Sequence, residues 1–576
     1  MEEITQFISL ANKIFWGPWT LYVLLLAGIL FTLWTKFSQF KVLTHGVAVT
    51  RGIYDDPRDP GAINHFQALC AALSATIGLG NIGGVAIAIA IGGPGALVWM
   101  WLVGFLGMAL KTVEITLSMM YRNTDDPDNP HGGAMWVVDK ALGAPGGGMK
   151  VLARVIGVIF CITCLIMTMA GGNMFQTWNV ADLTLHYFAV PKIATGIVLA
   201  IVVGLVIVGG IKRIGHVAGR LVPVMCLLYL LAALAVLAIH ITELPAMFAL
   251  IFKGAFGATE AGGAFLGGSI GLAFTTGMKR ALFSNEAGLG SAPIAHAAAK
   301  TNEPAREGIV GGLGPFIDTI CICTLTGLVI IATGTWNRGP QGALDGTVSL
   351  SELDGTTVLQ APVSVEALPR LPVGEQWIPG TQVFLLVDTP DEGRQRVYGE
   401  ISGQNGYAET IEWHNPPDGA QWVTDASGGP VKGVFRDFAG ATLTGHAFDR
   451  AYPGLGRWLV TLAAWLFAVS TMISWSYYGE QATIYLAGER WVIAYKFVFL
   501  ALAVVGAVLV KTNQQLGDLA DFGTGGMLWA NMLIVLTLGF LGVRCVNRYF
   551  ERLQRGEFHP HARPPLEDVV DGSDVE

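Results

Sequence analysis

Ser74-Ala75-Thr76-Ile77-Gly78-Leu79-Gly80-Asn81-Ile82-Gly83-Gly84 lies in the middle of an apolar run, residues 64–91, long enough to cross a bilayer. Glycines at 78, 80, 83 and 84 weaken a helix at a depth where lipid tolerates no unpaired backbone. A break there must be buried in protein or line a cavity. The N–H and C=O groups it frees can hold a carboxylate and a cation. The alternative is close helix packing through small residues, for which Gly80 and Gly84 have the spacing. Thr76 and Asn81, polar residues in an apolar run, favour a site.

Ten further apolar runs surround this one: about 18–38, 95–120, 152–176, 194–211, 218–240, 262–284, 307–335, 455–486, 491–510 and 522–547. The chain has 576 residues, of which 52% are hydrophobic and only 14% charged. A soluble domain carries about 25% charged residues, so these proportions exclude a water-soluble globule as well as a disordered chain. The expected fold class is an all-α polytopic membrane protein with eleven spans. Lys and Arg concentrate in alternate connections (Lys36, Lys41, Arg51 and Arg58; Arg122, Lys140 and Lys150; Lys212, Arg213 and Arg220; Lys300 and Arg306; Arg490) and at the C-terminal end. The positive-inside rule then predicts an outside N-terminus and a cytoplasmic C-terminus. No basic region followed by a short apolar core and cleavage site opens the chain, so the first span serves as the insertion signal.

One connection is polar and rich in β-branched residues and turn formers. Residues 337–451 read as a small β-rich insert outside the cytoplasm. It divides the transmembrane core into 1–336 and 452–556, and residues 557–576 read as an acidic, disordered cytoplasmic tail. The insert holds 15 acidic and 7 basic residues, so it accounts for the whole net charge of −8. The seven cysteines fall in or beside apolar stretches, where packing is their expected role.

The seventh run repeats the opening feature. Gly262, Gly263, Gly267, Gly268, Gly271 and Gly277 interrupt it beside Thr275 and Thr276. Leaving out the first span, five spans lie in residues 64–240 and five in 262–547, and each set opens with an interrupted helix. Interrupted segments at corresponding places in two halves point to a transporter built from repeats. A phosphate-binding Gly-x-x-x-x-Gly-Lys-Ser/Thr sequence and a His-Glu-x-x-His motif are absent from the sequence, as is a basic run suited to nucleic acid. These absences argue against an ATP-driven pump, an enzyme and a nucleic-acid partner.

Gly80-Asn81-Ile82 with Gly92-Gly93-Pro94-Gly95-Ala96 and Trp99-Met100-Trp101, then the run from Phe283 to Ala297 (FSNEAGLGSAPIAHA), and Trp475-Ser476-Tyr477-Tyr478-Gly479-Glu480 resemble the alanine or glycine:cation symporter family. The resemblance covers nearly all the membrane chain. It implies a five-plus-five inverted-repeat fold, like that of neurotransmitter:sodium symporters, with one additional N-terminal helix. It also implies co-transport of sodium, or in some members protons, with a small neutral amino acid such as alanine or glycine. No organic cofactor is implied. The expected location is the plasma membrane, in bacteria the inner membrane. Leu79 stands where the family commonly has Thr, which changes the pocket's size and polarity.

The resemblance further implies a sodium ion between the first interrupted helix and the span at 455–486, held by the carbonyls of Ser74 and Ile77 and the hydroxyls of Ser470 and Thr471. A hydroxyl that bonds back to its own helix is the alternative for Ser470 and Thr471. The substrate carboxylate is expected at the amides around Leu79, Gly80 and Asn81, with Thr76 beside them. Gln176 would meet the substrate's polar end, and Phe274, Thr275 and Trp475 would line its side-chain pocket. Asn173 reads as a tie between helices. Lys111 and Glu114, at i and i+3, are expected to pair on one helix face, with a proton relay as the alternative. Asn285 and Glu286 are read as an inner gate or a helix cap. A proton-coupled transporter, an amino-acid sensor derived from a transporter, and a channel remain as alternatives for the whole chain.

Overall fold

The computed structural model describes residues 2–144, 146–256, 270–344, 349–353, 356–360, 368, 377, 379–390, 393–404, 407–424, 432–438, 441–510 and 513–572. Two helices open the chain, α1 (Glu2–Phe15) and α2 (Pro18–Trp34), bent by 41° where Pro18 cannot continue α1. The run at 64–91 is broken as its glycines require, into α3 (His65–Thr76) and α4 (Gly80–Gly92) at 52°. Asn64 starts α3 by accepting the Gln67 N–H at 2.8 Å. Ile77 leaves the helix in an extended conformation, φ −75° and ψ 98°. Then follow α5 (Ala96–Tyr121), α6 (Gly147–Leu185), α7 (Lys192–Ile207), α8 (Gly210–Ile239), α9 (Leu244–Phe256), α10 (Ile270–Asn285) and α11 (Pro304–Ala332).

Among the described residues seven helices are long and apolar enough to cross a membrane, and nine candidate spans result if each bent pair counts as one. Helix α7 is apolar but shorter. Glycines 262, 263, 267 and 268 of the second expected interruption lie outside the described residues, so that break is described only from α10 onward. The surface is inverted relative to a soluble protein. Leu205, Leu231, Phe497 and Leu533 face outward, while Thr112, Asn173, Ser284 and Asp318 are buried.

The connection after α11 carries strands β1 (Gly342–Ala343), β2 (Ser349–Leu353), β3 (Thr356–Gln360), β4 (Gln382–Thr389), β5 (Gly393–Gln404), β6 (Tyr407–Trp413), β7 (Gln421–Trp422) and β8 (Gly433–Arg436). Their antiparallel sheet runs β1-β8-β4-β5-β6, with β7 also on β4, and β2 and β3 form a separate hairpin. β4 is central and covered on both faces. Val383, Leu385 and Val387 pack on one side, and Phe384 stacks on Phe435 at 5.2 Å on the other.

Helix α12 (Ala441–Ala451) closes this segment but packs with the transmembrane helices, burying Leu443, Ala447 and Phe448 in their core. The last spans are α13 (Leu455–Ala487), α14 (Glu489–Leu509) and α15 (Leu516–Gln554).

Three features differ from the sequence expectation. The run at 152–176 extends to 39 residues in α6, through a π-helical turn at Ala170–Met174. That turn brings Gly172 so close to Trp475 that an added Cβ would lie 2.5 Å from the indole side chain. Helix α1 is an additional element, fixed by Phe7 and Phe15 against Phe522 and by Trp16 Nε1 donating to the Asp521 carbonyl at 3.0 Å.

Residues 557–572 of the C-terminal tail do not form a disordered, solvated chain. His561 N donates to Ile53 O at 2.8 Å, and α16 (Leu566–Asp571) docks beside α3. There Asn64 and Gln67 donate side-chain amides to the Val569 and Val570 carbonyls at 2.7 and 3.2 Å, Val569 is buried, and Asp571 pairs with Arg220. The amides of Asn64 and Gln67 satisfy carbonyls that α16 is too short to pair internally, while Arg220 of α8 meets the Asp571 carboxylate.

Candidate functional site

The turn between α3 and α4 is held by its own asparagine. Asn81 Oδ1 accepts the freed Gly78 N–H at 2.9 Å, and Asn81 N donates to Gly78 O at 3.1 Å. The Asn81 Nδ2 group donates to Ser284 Oγ of α10 at 2.9 Å and to Asp318 Oδ1 of α11. Asp318 also accepts from Ser284 Oγ at 2.6 Å and from Thr319 Oγ1 at 2.9 Å. This buried carboxylate therefore ties the broken helix to its two neighbours. Sequence reading did not single Asp318 out, although a lone carboxylate in the apolar stretch 308–332 is itself a signal. From the other side, Thr444 Oγ1 of α12 donates to the Ile82 carbonyl at 2.8 Å. Backbone groups freed by the break thus find side-chain partners instead of lipid.

Across the turn stands α13. Ser74 Oγ donates to Ser470 O at 2.7 Å, and Ser470 Oγ lies 3.4 Å from Ser74 O while donating to Phe467 O at 2.9 Å. Thr471 Oγ1 is buried and has no hydrogen-bond partner among the described residues. It points at the turn: a Cβ on Gly78 would sit 2.9 Å from it. The structure thus brings Ser74, Gly78, Ser470 and Thr471 together, with Ile77 buried beside them. An orphaned buried hydroxyl next to freed carbonyls is a set of hard, uncharged oxygens of the kind an alkali cation uses.

Gln176 and Trp475 meet at the π-helical turn of α6. Gln176 Nε2 donates to Gly171 O at 3.1 Å, leaving Oε1 buried without a partner among the described residues. Trp475 packs on Gly172 and lies edge-on to Tyr478, ring centroids 5.2 Å apart. Asn173 donates to the Phe499 carbonyl of α14 at 2.6 Å, a tie between helices.

Thr76 Oγ1 donates back to Leu73 O at 3.3 Å, and Leu79 is buried. Gly80 faces open space, with nothing within 4 Å of an added Cβ. Phe274 packs edge-on against Trp99 at 4.9 Å and near Tyr22 at 6.2 Å; no described contact joins it to Gln176 or Trp475. Thr275 is half-buried beside it on α10.

Lys111 does not pair with Glu114 as the spacing suggests. Its Nζ donates to Asn285 O at 2.6 Å, while Glu114 accepts from Asn531 of α15 at 3.0 Å. Sharing a face put both groups in the interior, but each found a partner on another helix. Asn285 caps its own helix end, accepting the Ala287 N–H at 3.0 Å.

The end of the bundle away from the sheet is closed by groups the sequence reading did not select. Arg122 donates to the carbonyls of Pro60, Ala297, Ala299 and Thr301, pinning two loops at 2.6–3.0 Å. Glu307 is buried between His65 and His296, bonded to both. At the opposite end Arg338 lies over the Phe438 ring, on which His446 of α12 stacks at 4.2 Å. Burial pushes the Arg338 guanidinium down to about 9, against the pull of Asp437.

A model of the sodium:alanine symporter family matches residues 1–363 and 428–563, leaving out the middle of the sheet-bearing connection. The sodium/alanine symporter AgcS of Methanococcus maripaludis is 35% identical over 555 residues, 96% of this chain and 99% of that relative. The putative sodium/proton-dependent alanine carrier protein YrbD of Bacillus subtilis is 28% identical over 96% of this chain and 94% of its own. Among solved structures the chain is similar to MhsT in complex with L-phenylalanine, with a TM-score of 0.43 and 14% identity over 86% of this chain and 99% of that one. These relatives are transporters rather than enzymes. Matched by the family model over most of its length and by a full-length sodium/alanine symporter, the chain belongs to the sodium:alanine symporter family.

Proposed function

We propose that this protein couples the entry of sodium to the uptake of a small neutral amino acid, alanine or glycine, by alternating access. The observation that carries the reading is Thr471 Oγ1, a buried hydroxyl without a partner among the described residues that faces the broken turn of α3 and α4 beside the Ser74–Ser470 pair. Sodium is cargo here, held by the carbonyls of Ser74 and Ile77 and the hydroxyls of Ser470 and Thr471. The substrate carboxylate lies at the amides of Leu79, Gly80 and Asn81, with Thr76 at its edge and the free Gln176 Oε1 facing its ammonium. The Asn81 carboxamide is engaged with Gly78, Ser284 and Asp318 and its N–H with the Gly78 carbonyl, so that residue meets the substrate through its backbone only when the Asn81–Gly78 bond opens. Trp475 closes the side-chain pocket on α13. Phe274 and Thr275 line it from α10, for which Phe274 leaves its contact with Trp99.

The same reading takes α2 as the extra N-terminal span and counts ten more in two inverted sets of five, which α7 and the whole of the run at 262–284 complete. It sets Arg122, Lys300, Arg306 and the C-terminal arginines in the cytoplasm, and the N-terminus and the sheet-bearing connection outside, in the plasma membrane. Ion binding gives the Thr471 hydroxyl a partner and steadies the turn that presents the carboxylate-binding amides, so ion and amino acid favour the same conformation. Alanine binding to the purified protein, measured by calorimetry in sodium and then in choline, tests this. Binding should tighten at least about tenfold in sodium, ~1.4 kcal/mol; equal affinity in the two salts contradicts it.

A further inference from the structure

Three ionisable side chains come together in the membrane interior apart from the Gly78 turn. Lys111 and Glu114 stand one turn apart on α5, and Glu286 follows the end of α10 in a left-handed conformation, φ 54°. All three are buried. Lys111 Nζ donates to Asn285 O at 2.6 Å, and Glu286 Oε2 accepts from Ser291 Oγ at 2.5 Å. Glu114 Oε2 accepts from Asn531 Nδ2 at 3.0 Å, and the same amide group donates to Gly288 O at 2.9 Å. Glu114 Oε1 is buried with no hydrogen-bond partner among the described residues.

Two carboxylates therefore face one ammonium in a region where each uncompensated charge is strongly unfavourable. The surrounding helices do not correct the balance. α2 carries no charged residue, and α15 brings the neutral Asn531. α11 brings Asp318, another carboxylate within electrostatic reach of Lys111, which has its own three side-chain donors. Glu307 and Arg306, at the start of α11, are engaged with His65, His296 and the Tyr54 carbonyl.

We propose that Glu114 is a proton-binding site, its Oε1 carrying a proton drawn from water, while Lys111 and Glu286 compensate each other. We assign the proton to Glu114 because Glu286 has a hydroxyl donor, whereas Glu114 Oε1 has no hydrogen-bond partner among the described residues. A metal cation would need several oxygens converging on one point, and no group of three or more potential metal-ligating His, Cys, Asp or Glu residues occurs among the described residues. The proton also has a mechanical consequence. Asn531 bridges Glu114 to the Gly288 peptide, two residues beyond Glu286, so the neutral carboxyl lets the end of α10 rest against α15. Deprotonation puts an unpaired negative charge in that contact and loosens it. The assignment rests on burial and charge count, not on the transport reading.

Infrared difference spectroscopy of the protein in liposomes at about pH 7 tests the site directly. The wild type should show the C=O stretch of a protonated carboxyl, shifted by D2O. Glu114→Gln should remove one such band. Glu286→Gln should also remove it, because Lys111 then balances Glu114 and no proton is needed. Should Glu114→Gln fail to accumulate, Glu114→Asp keeps a carboxyl and should move the band. A protonated-carboxyl region left unchanged by these substitutions overturns the proposal. Absence of sodium-driven alanine uptake by the wild type, with its protonated-carboxyl band present and removed by Glu114→Gln, would bear on the transport reading and leave this site standing.

Discussion

Ser74 and Ser470 face each other reciprocally across the core: each hydroxyl approaches the other's backbone carbonyl, Ser74 Oγ at 2.7 Å and Ser470 Oγ at 3.4 Å. The shorter bond fixes α3 against α13. The longer one leaves the Ser74 carbonyl weakly engaged, next to the unpartnered Thr471 hydroxyl. A carbonyl and a hydroxyl in this condition can accept a cation without first breaking a strong bond.

Thr471→Ala should therefore raise the sodium concentration for half-maximal alanine uptake by about tenfold, the ~1.4 kcal/mol expected for one lost oxygen ligand. Thr471→Ser, which keeps the hydroxyl, should stay near wild type. A sodium titration of initial uptake rates reads both.

Gly78 and Gly80 should behave differently despite lying two residues apart. An alanine at 78 drives its Cβ to 2.9 Å from Thr471 Oγ1, whereas one at 80 meets nothing within 4 Å. Gly78→Ala should cost about 1–3 kcal/mol of stability and abolish sodium-stimulated uptake. Gly80→Ala should fold normally and change the apparent affinity for substrate alone. Thermal unfolding and uptake measured on both variants separate the two effects.

The stacked imidazole of His446 predicts an acid sensitivity in α12. Burial, and then Arg338, Arg450 and Arg436, push it down to about 4 from its ordinary 6.5. The folded chain thus refuses a proton that the unfolded chain accepts. The contribution is fully present above about pH 6.5 and is lost as pH falls towards 4, by about 3 kcal/mol in all. His446→Gln should flatten this part of the dependence of the unfolding midpoint on pH.

The docked tail predicts protease resistance at residues 566–571. Val569→Asp should expose this segment to limited proteolysis by burying a charge without a partner. Asp571→Asn should have little effect, because its partner Arg220 is half exposed and such pairs contribute about 0–1 kcal/mol. Comparing cleavage rates of the two variants tests which contact holds the tail.

The interruption at 78–84 was legible because glycine content and a lone asparagine report directly on helix stability in lipid; Ser470 and Thr471 were suggested only by the family resemblance. What it could not supply was partnership between distant helices. Lys111 and Glu114 share a face by spacing, yet Lys111 reaches Asn285 and Glu114 reaches Asn531, choices made by packing. Helices α1 and α9 are short of a full span and so escape a search for runs of twenty apolar residues. The tail reads as polar and proline-containing, and only the side-chain amides of Asn64 and Gln67, some five hundred positions away in sequence, reveal that it is held. Phe274 is hydrophobic enough for a pocket wall, but composition does not say that Trp99 is its neighbour.

The central claim is coupling, and uptake of labelled alanine into proteoliposomes tests it most directly. With an inward sodium gradient the account predicts saturable accumulation above equilibrium, which collapses when sodium is replaced by choline or the gradient is dissipated. Saturable uptake that is indifferent to the sodium gradient would contradict it.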